Sequence, residues 1–174
     1  MFCFLSAASL FLIAASGSGD SSERAQAKNS GRAPLTAVQP YLVMTGKSMT
    51  EAISKLQAGN ATQNLMSGDA IGCRVYIQHE KDVATNQAEV HDATDDVFIL
   101  LEGAATFILG GKLETPGEVQ PGEWRSADIS GGKEFKLAKG DMIIVPRGTP
   151  HRRISAGQDV TLMVIKAFTP AVNK

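Results

Sequence analysis

The chain has 174 residues, of which 43% are hydrophobic and 20% charged, and its formal net charge at pH 7 is -1. This length and hydrophobic fraction are typical of one globular domain with a sizeable core. The charge balance leaves no basic surplus for binding phosphate backbones, so we expect no nucleic-acid partner.

The N-terminus begins with an apolar run from Phe2 to Ala15, which small residues follow. The run is short for a membrane-spanning helix and is typical of a secretory signal peptide. We predict a signal peptide at residues 1–16, with cleavage after Ala27 as the alternative. The protein is then secreted or periplasmic and has no membrane association after cleavage. A retained membrane anchor and a buried helix of the fold are the other interpretations.

Residues 17–34 are small, polar and aperiodic, which predicts a flexible linker ahead of a single domain at 35–174. Ser48 and Glu51 form a capping box that precedes apolar residues at helical spacing. This pattern predicts one short helix over about residues 49–58.

Beyond Gly72 the hydrophobic period changes to two, and short β-prone runs are separated by glycine-rich turns. The runs are CRVYIQ, QAEVH, DVFILLE, AATFILG, GEWRSADI, KEFKLA, DMIIVP, HRRIS and DVTLMVIKAF. Strands this short and numerous predict a closed or double-sheet architecture, because an open sheet of this length would expose its edges. We therefore expect an all-β fold, a small barrel or jelly roll.

Residues 140–155 read GDMIIVPRGTPHRRIS and match G-x5-P-x-G-x2-H-x3-N at every fixed position except the last, where Ser155 stands in place of Asn. The segment resembles the second signature of the cupin family. Its histidine, His151, follows a turn that Pro146 and Pro150 make rigid, so the imidazole has little conformational freedom to lose.

The upstream segment resembles a degenerate first cupin signature. It reads Glu89-x-His91-x4-Asp96-x6-Gly103, with acidic residues at the positions of one histidine and of the glutamate. Asp95 is the alternative to Asp96, because the family allows either spacing after His91. On a strand Glu89 and His91 share one face, since they are two residues apart.

The resemblance covers about residues 72–168 and implies a cupin double-stranded β-helix, or jelly-roll barrel, with a metal at its mouth and frequent dimerisation. It implies Glu89, His91, Asp96 and His151 as the metal ligands. Two imidazoles and two carboxylates suit a divalent transition metal such as Fe, Mn, Ni or Zn.

Further residues are expected around this site. Phe98 and Leu100 continue the face of Asp96 and should line the cavity beneath it, while Arg153 and Arg147 at the rim are typical of a site for an anionic ligand such as a carboxylate. His79 continues an inward alternation and is a fifth candidate donor. The charged cluster that follows His79 favours instead a strand end in solvent.

Between the two signatures lies an excursion, residues 112–132, that contains Trp124, the single tryptophan of the chain. We interpret it as an added hairpin that covers the pocket as a lid or packs against a second subunit in a homodimer.

The resemblance leaves two functions open. One is a metal-dependent enzyme of the dioxygenase, isomerase or lyase type that acts on a small oxygenated or carboxylate-bearing metabolite. The alternative is a binding protein that holds a small-molecule ligand without metal or turnover.

Overall fold

A computed structural model describes residues 33, 36–37, 40–68, 71–84 and 86–169. The predicted signal peptide and nearly all of the predicted linker lie outside these residues. The chain divides into two units, residues 1–36 and 37–174, and the helix and strands that the structure describes lie in the second. Among the described residues, no helix has the length and apolar character that crossing a bilayer requires.

The helix α1 spans Gly46–Leu56. Its N-cap is Thr45, whose hydroxyl accepts a hydrogen bond from the Ser48 backbone N–H at 3.2 Å. The predicted range 49–58 is therefore wrong at both ends. The helix begins earlier because Thr45 rather than Ser48 supplies the capping oxygen, and it ends at Leu56 with Gln57 as its C-cap. Leu56 packs with Ile77 in a small cluster that fixes the helix to the outside of the sheet.

Within the described residues the remaining regular structure consists of strands. They are β1 (Ala61–Gly68), β2 (Cys73–Lys81), β3 (Ala88–His91), β4 (Thr94–Leu109), β5 (Lys112–Leu113), β6 (Gly117–Gln120), β7 (Glu123–Ser126), β8 (Ile129–Ser130), β9 (Lys133–Ala138), β10 (Met142–Val145), β11 (His151–Ile154) and β12 (Asp159–Phe168).

One long strand joins the two halves of the structure. The first half of β4 pairs with β12 and β10, and its second half pairs with β9 and β11. The strand order β1-β2-β12-β4-β11-β3-β7-β6 runs through it. The runs DVFILLE and AATFILG, predicted as two strands, are thus one strand that passes from one sheet to the other. The predicted all-β double-stranded β-helix with a short N-terminal helix is confirmed.

Gly103 lies where β4 changes sheets, and the fold requires a glycine there. Its φ is +73°, and a Cβ at this position would lie 1.9 Å from the carbonyl oxygen of Asp159. No L-side chain fits that space without moving the neighbouring strand.

The main core lies between the two sheets and includes Phe98, Leu100, Phe107 and Leu162, each at most 3% exposed. These side chains fill the closed end of the structure. The open end contains a cavity lined mostly by polar residues, and Phe98 and Phe107 also face it.

Candidate metal centre

A cavity of about 780 Å³ opens between the two sheets. Its wall includes the four donors that the cupin resemblance implies. Glu89 and His91 come from β3, Asp96 from β4, and His151 is the first residue of β11. Since β3 and β11 pair with His151 opposite Glu89, two strand neighbours bring their side chains to one point.

The four side chains converge. One ligand atom from each of Glu89, His91, Asp96 and His151 lies within 4.8 Å of all the others. His91, Asp96 and His151 are at most 3% exposed. Atoms bonded to one cation at about 2.0–2.2 Å lie at most about 4.4 Å apart, so small side-chain movements would bring these four to such a cation.

Hydrogen bonds on the far side of each ring fix the orientation of both imidazoles. Nδ1 of His91 lies 2.6 Å from Oε2 of Glu123, and Nδ1 of His151 lies 2.9 Å from the carbonyl oxygen of Thr149. A carboxylate and a carbonyl accept hydrogen bonds, so each Nδ1 carries a hydrogen and each Nε2 faces the centre. Metal-binding histidines are held in this way in proteins.

Nε2 of His151 is buried, and no described residue meets it with hydrogen-bond geometry, although two carboxylate oxygens are close. It lies 3.2 Å from Oε1 of Glu89 and 3.7 Å from Oδ2 of Asp96. Burying a polar atom without a partner costs free energy, and a bound cation would remove that cost. The donor set and this atom together fit a divalent transition metal.

Lys166 on β12 places a positive charge beside the same donors. Its Nζ donates to both carboxylate oxygens of Asp96, at 2.7 and 3.0 Å, and lies 3.0 Å from Nε2 of His91. The sequence analysis missed this residue. Its alternation with Leu162 and Val164 places it on an inward face, but only the register of β12 against β4 brings it to Asp96.

The charges of the cluster shift its protonation equilibria. Burial alone would lower the pKa of His91, but Asp96 and Glu89 outweigh it and raise that pKa to about 9. Burial alone would also lower the pKa of His151, but contacts with Asp96 and Glu89 outweigh this effect and raise that pKa. The imidazoles in turn hold the pKa values of Glu89 and Asp96 well below their usual range, against the effect of burial. A metal must therefore displace protons to bind.

The excursion over residues 112–132 places two charged side chains beside the candidate donors. It contains the β6–β7 hairpin, and β7 pairs with β3 so that Glu123 lies opposite His91 and Arg125 opposite Glu89. Arg125 forms an ion pair of 2.9 Å with Glu89. The excursion is thus an added hairpin, as expected, and its inner strand forms part of the cavity wall.

The structure places the two predicted rim arginines differently. Arg153 lines the cavity, but two hydrogen bonds to Glu80 neutralise its charge. Arg147 is absent from the cavity wall and forms an ion pair of 2.7 Å with Asp95. Contact with Arg147 lowers the pKa of Asp95. Asp95 therefore lies outside the cluster of candidate donors, and Asp96 is the inward carboxylate.

Two other predictions differ from the structure in part. Phe98 lines the cavity as expected, whereas Leu100 lies deeper in the core and does not. His79 is neither a fifth donor nor in solvent. It is 2% exposed and its Nδ1 lies 2.8 Å from Oγ1 of Thr161, on the face of β2 opposite to the cavity.

Comparisons with known proteins bear on the fold. No protein-family model matches the chain, and no curated protein matches it. Among solved structures, the protein BH2720 from Bacillus halodurans is 16% identical with a TM-score of 0.51, over 76% of this chain and 84% of that chain.

Two further solved structures are similar. A cupin-2 domain containing protein from Shewanella frigidimarina is 14% identical with a TM-score of 0.47, over 68% of this chain and 91% of that chain. KdgF from Halomonas sp. is 13% identical with a TM-score of 0.47, over 66% and 83%. At sequence identities this low, structural similarity indicates a similar fold and nothing more.

Proposed function

We propose that this cupin-fold chain is a metal-dependent enzyme that acts on a small oxygenated metabolite, with Glu89, His91, Asp96 and His151 as metal ligands. The observation that carries the proposal is the buried Nε2 of His151, which meets no described residue with hydrogen-bond geometry and faces three other donors. The metal would be a divalent ion such as Fe, Mn, Ni or Zn.

Bound to these donors, the ion would supply a Lewis acid or a redox centre to the substrate. The chain's own residues do the rest. Glu123 and the Thr149 carbonyl hold the two imidazoles in the orientation that binding needs. Phe98 and Phe107 contribute apolar surface to the cavity wall. A dioxygenase, isomerase or lyase activity fits this arrangement, and secretion and dimerisation stay predictions from the sequence.

The test is elemental analysis of protein purified without chelator, followed by an activity screen of the metal-loaded form. We expect about one transition-metal ion per chain in the wild type and in Arg152→Gln, because Arg152 pairs with Asp128 outside the cavity. His151→Ala should lose the metal. A wild type that takes up none of the four metals even when they are supplied would contradict the proposal.

A metal-free ligand-binding protein is the second candidate, and Lys166 favours it. Its ammonium already compensates Asp96 and contacts His91, as a bound cation would do. If the protein binds ligands without metal, those ligands should raise the melting temperature of the chelator-treated wild type and of the His151→Ala variant. Loss of the thermal shift in both conditions would exclude it.

A further inference from the structure

Four cationic side chains line the cavity, and three of them have a carboxylate partner. Arg125 pairs with Glu89, Arg153 with Glu80, and Lys166 with Asp96. The fourth, Arg74, forms no ion pair with any described residue. Its Nε and Nη2 donate to Oδ1 of Asn64, at 3.0 and 2.8 Å.

The ring of Tyr76 supports Arg74 from one side, with the guanidinium carbon 4.6 Å from the ring centroid. Asn64 and Tyr76 are both neutral at physiological pH, so they hold the guanidinium in place and leave its charge uncompensated. A planar guanidinium held in this way suits two parallel hydrogen bonds to a carboxylate.

Arg74 stands directly beside Lys166. The two residues are opposite each other in the β2–β12 pairing, and Lys166 is opposite Asp96 in the β12–β4 pairing. Arg74, Lys166 and Asp96 thus form one row across three strands, and all three line the cavity. Opposed residues on one face have Cβ atoms about 4.5–5.5 Å apart. The guanidinium of Arg74 reaches towards Asn64 on β1 and the ammonium of Lys166 towards Asp96 on β4, so the space between the two cations is open to an anion.

We propose that Arg74 and Lys166 together bind the carboxylate of the substrate, which makes the substrate a small carboxylic acid with an oxygen function near the carboxylate. The inference rests on the proposed function, because a metal bound to Asp96 would replace Lys166 as the partner of that carboxylate. The ammonium of Lys166 would then be available to bind the substrate. Carboxylates should therefore bind more tightly to the metal-loaded protein than to the metal-free protein.

A carboxylate suits the charge of this cavity, and phosphate is the competing anion. The wall carries four Arg and Lys side chains and four acidic ones, the latter being Glu80, Glu89, Asp96 and Glu123. A divalent metal adds two positive charges to this balanced set, and a carboxylate would offset one of them. A phosphate dianion would offset both, so inorganic phosphate is the control that separates the two classes of anion.

The experiment is calorimetric titration of the full-length protein, metal-free and metal-loaded, with lactate, pyruvate and the longer 2-hydroxy acids. Lactamide and inorganic phosphate are the controls. We expect at least one acid to bind at least tenfold more tightly than lactamide and than phosphate, and to bind at least tenfold more weakly to Arg74→Gln.

Variants separate a binding role of Arg74 from a structural one. Arg74→Lys should recover part of the affinity, because it keeps the charge, although it cannot hold Asn64 with two donors. Arg152→Gln should bind like the wild type. Equal affinity of Arg74→Gln and wild type for every acid, preference for phosphate, or failure of all acids to bind better than lactamide would overturn the inference.

Elemental analysis of the same samples distinguishes the two proposals. If the protein takes up no metal but binds carboxylates in a way that depends on Arg74, the anion site is supported and the proposed metal enzyme is contradicted. If the protein binds its full complement of metal but shows no preference for carboxylates, the metal site is supported and the anion site is contradicted.

Discussion

Replacing Glu123 by glutamine should weaken metal binding about tenfold, although Glu123 is not itself a ligand. Its carboxylate lies 2.6 Å from Nδ1 of His91, and that contact fixes the ring and makes Nε2 a better donor. Loss of such a partner typically costs 10–100-fold in metal affinity. We expect the lower end, because glutamine still accepts a hydrogen bond and the Glu123 side chain is 30% exposed to screening solvent.

Tenfold corresponds to about 1.4 kcal/mol. Glu123→Ala removes the acceptor as well and should approach the upper end of the range. The assay is competition with a chromophoric chelator at fixed pH, with circular dichroism as a check on folding. Glu134→Gln is the matched control, since it removes the same charge from the exposed strand β9 and should change affinity less than twofold. An equal effect of the two glutamine variants would refute the role of Glu123.

Other changes give separate outcomes. Lys166→Met should lower the stability of the metal-free protein in urea unfolding and raise metal affinity in the same competition assay, because an ammonium no longer competes for the donors. Metal affinity should also rise with pH and level off above about 9, since the pKa of His91 is raised to about 9 and its proton must leave. The metal-free protein should show the opposite trend in urea unfolding. The raised pKa stabilises it fully below pH 6.5, and this contribution is lost as the pH approaches 9. Gly103→Ala should destabilise by about 3 kcal/mol or more, because its Cβ would meet Asp159. Gly157→Ala, which has a similar φ of +75° but open space, should cost only about 1 kcal/mol.

The cluster of Glu89, His91, Asp96 and His151 could be anticipated because the cupin resemblance that implies it depends on local spacing. The alternation of Glu89 and His91 places both side chains on one face, and the Gly-Pro turn before His151 fixes a single position for its ring. Asp96 could be chosen over Asp95 from its spacing to Gly103, the residue at which β4 changes sheets. These features need no knowledge of which strands are neighbours.

The surrounding charges could not be anticipated, because strand register decides them. Arg153 and Arg147 were equal candidates by sequence, and only the pairing of strands shows that Glu80 and Asp95 neutralise them. Arg74 drew no attention in the sequence, since nothing local marks it as lacking a carboxylate partner.

The same limit applies to Glu123, Arg125 and Lys166. Each reaches the donors through contacts between strands that lie at least 30 residues apart in the chain. The sequence predicted a hairpin in the excursion, but its pairing with β3 depends on long-range packing that periodicity does not encode.

The central claim is that these four donors share one ion, and anomalous X-ray diffraction at a metal absorption edge tests it most directly. Crystals of metal-loaded protein should show one anomalous peak about 2.0–2.3 Å from the ligand atoms of Glu89, His91, Asp96 and His151, with the Lys166 ammonium displaced from Asp96. The absence of a peak there, with Lys166 still bound to Asp96, would contradict a metal site at these four residues.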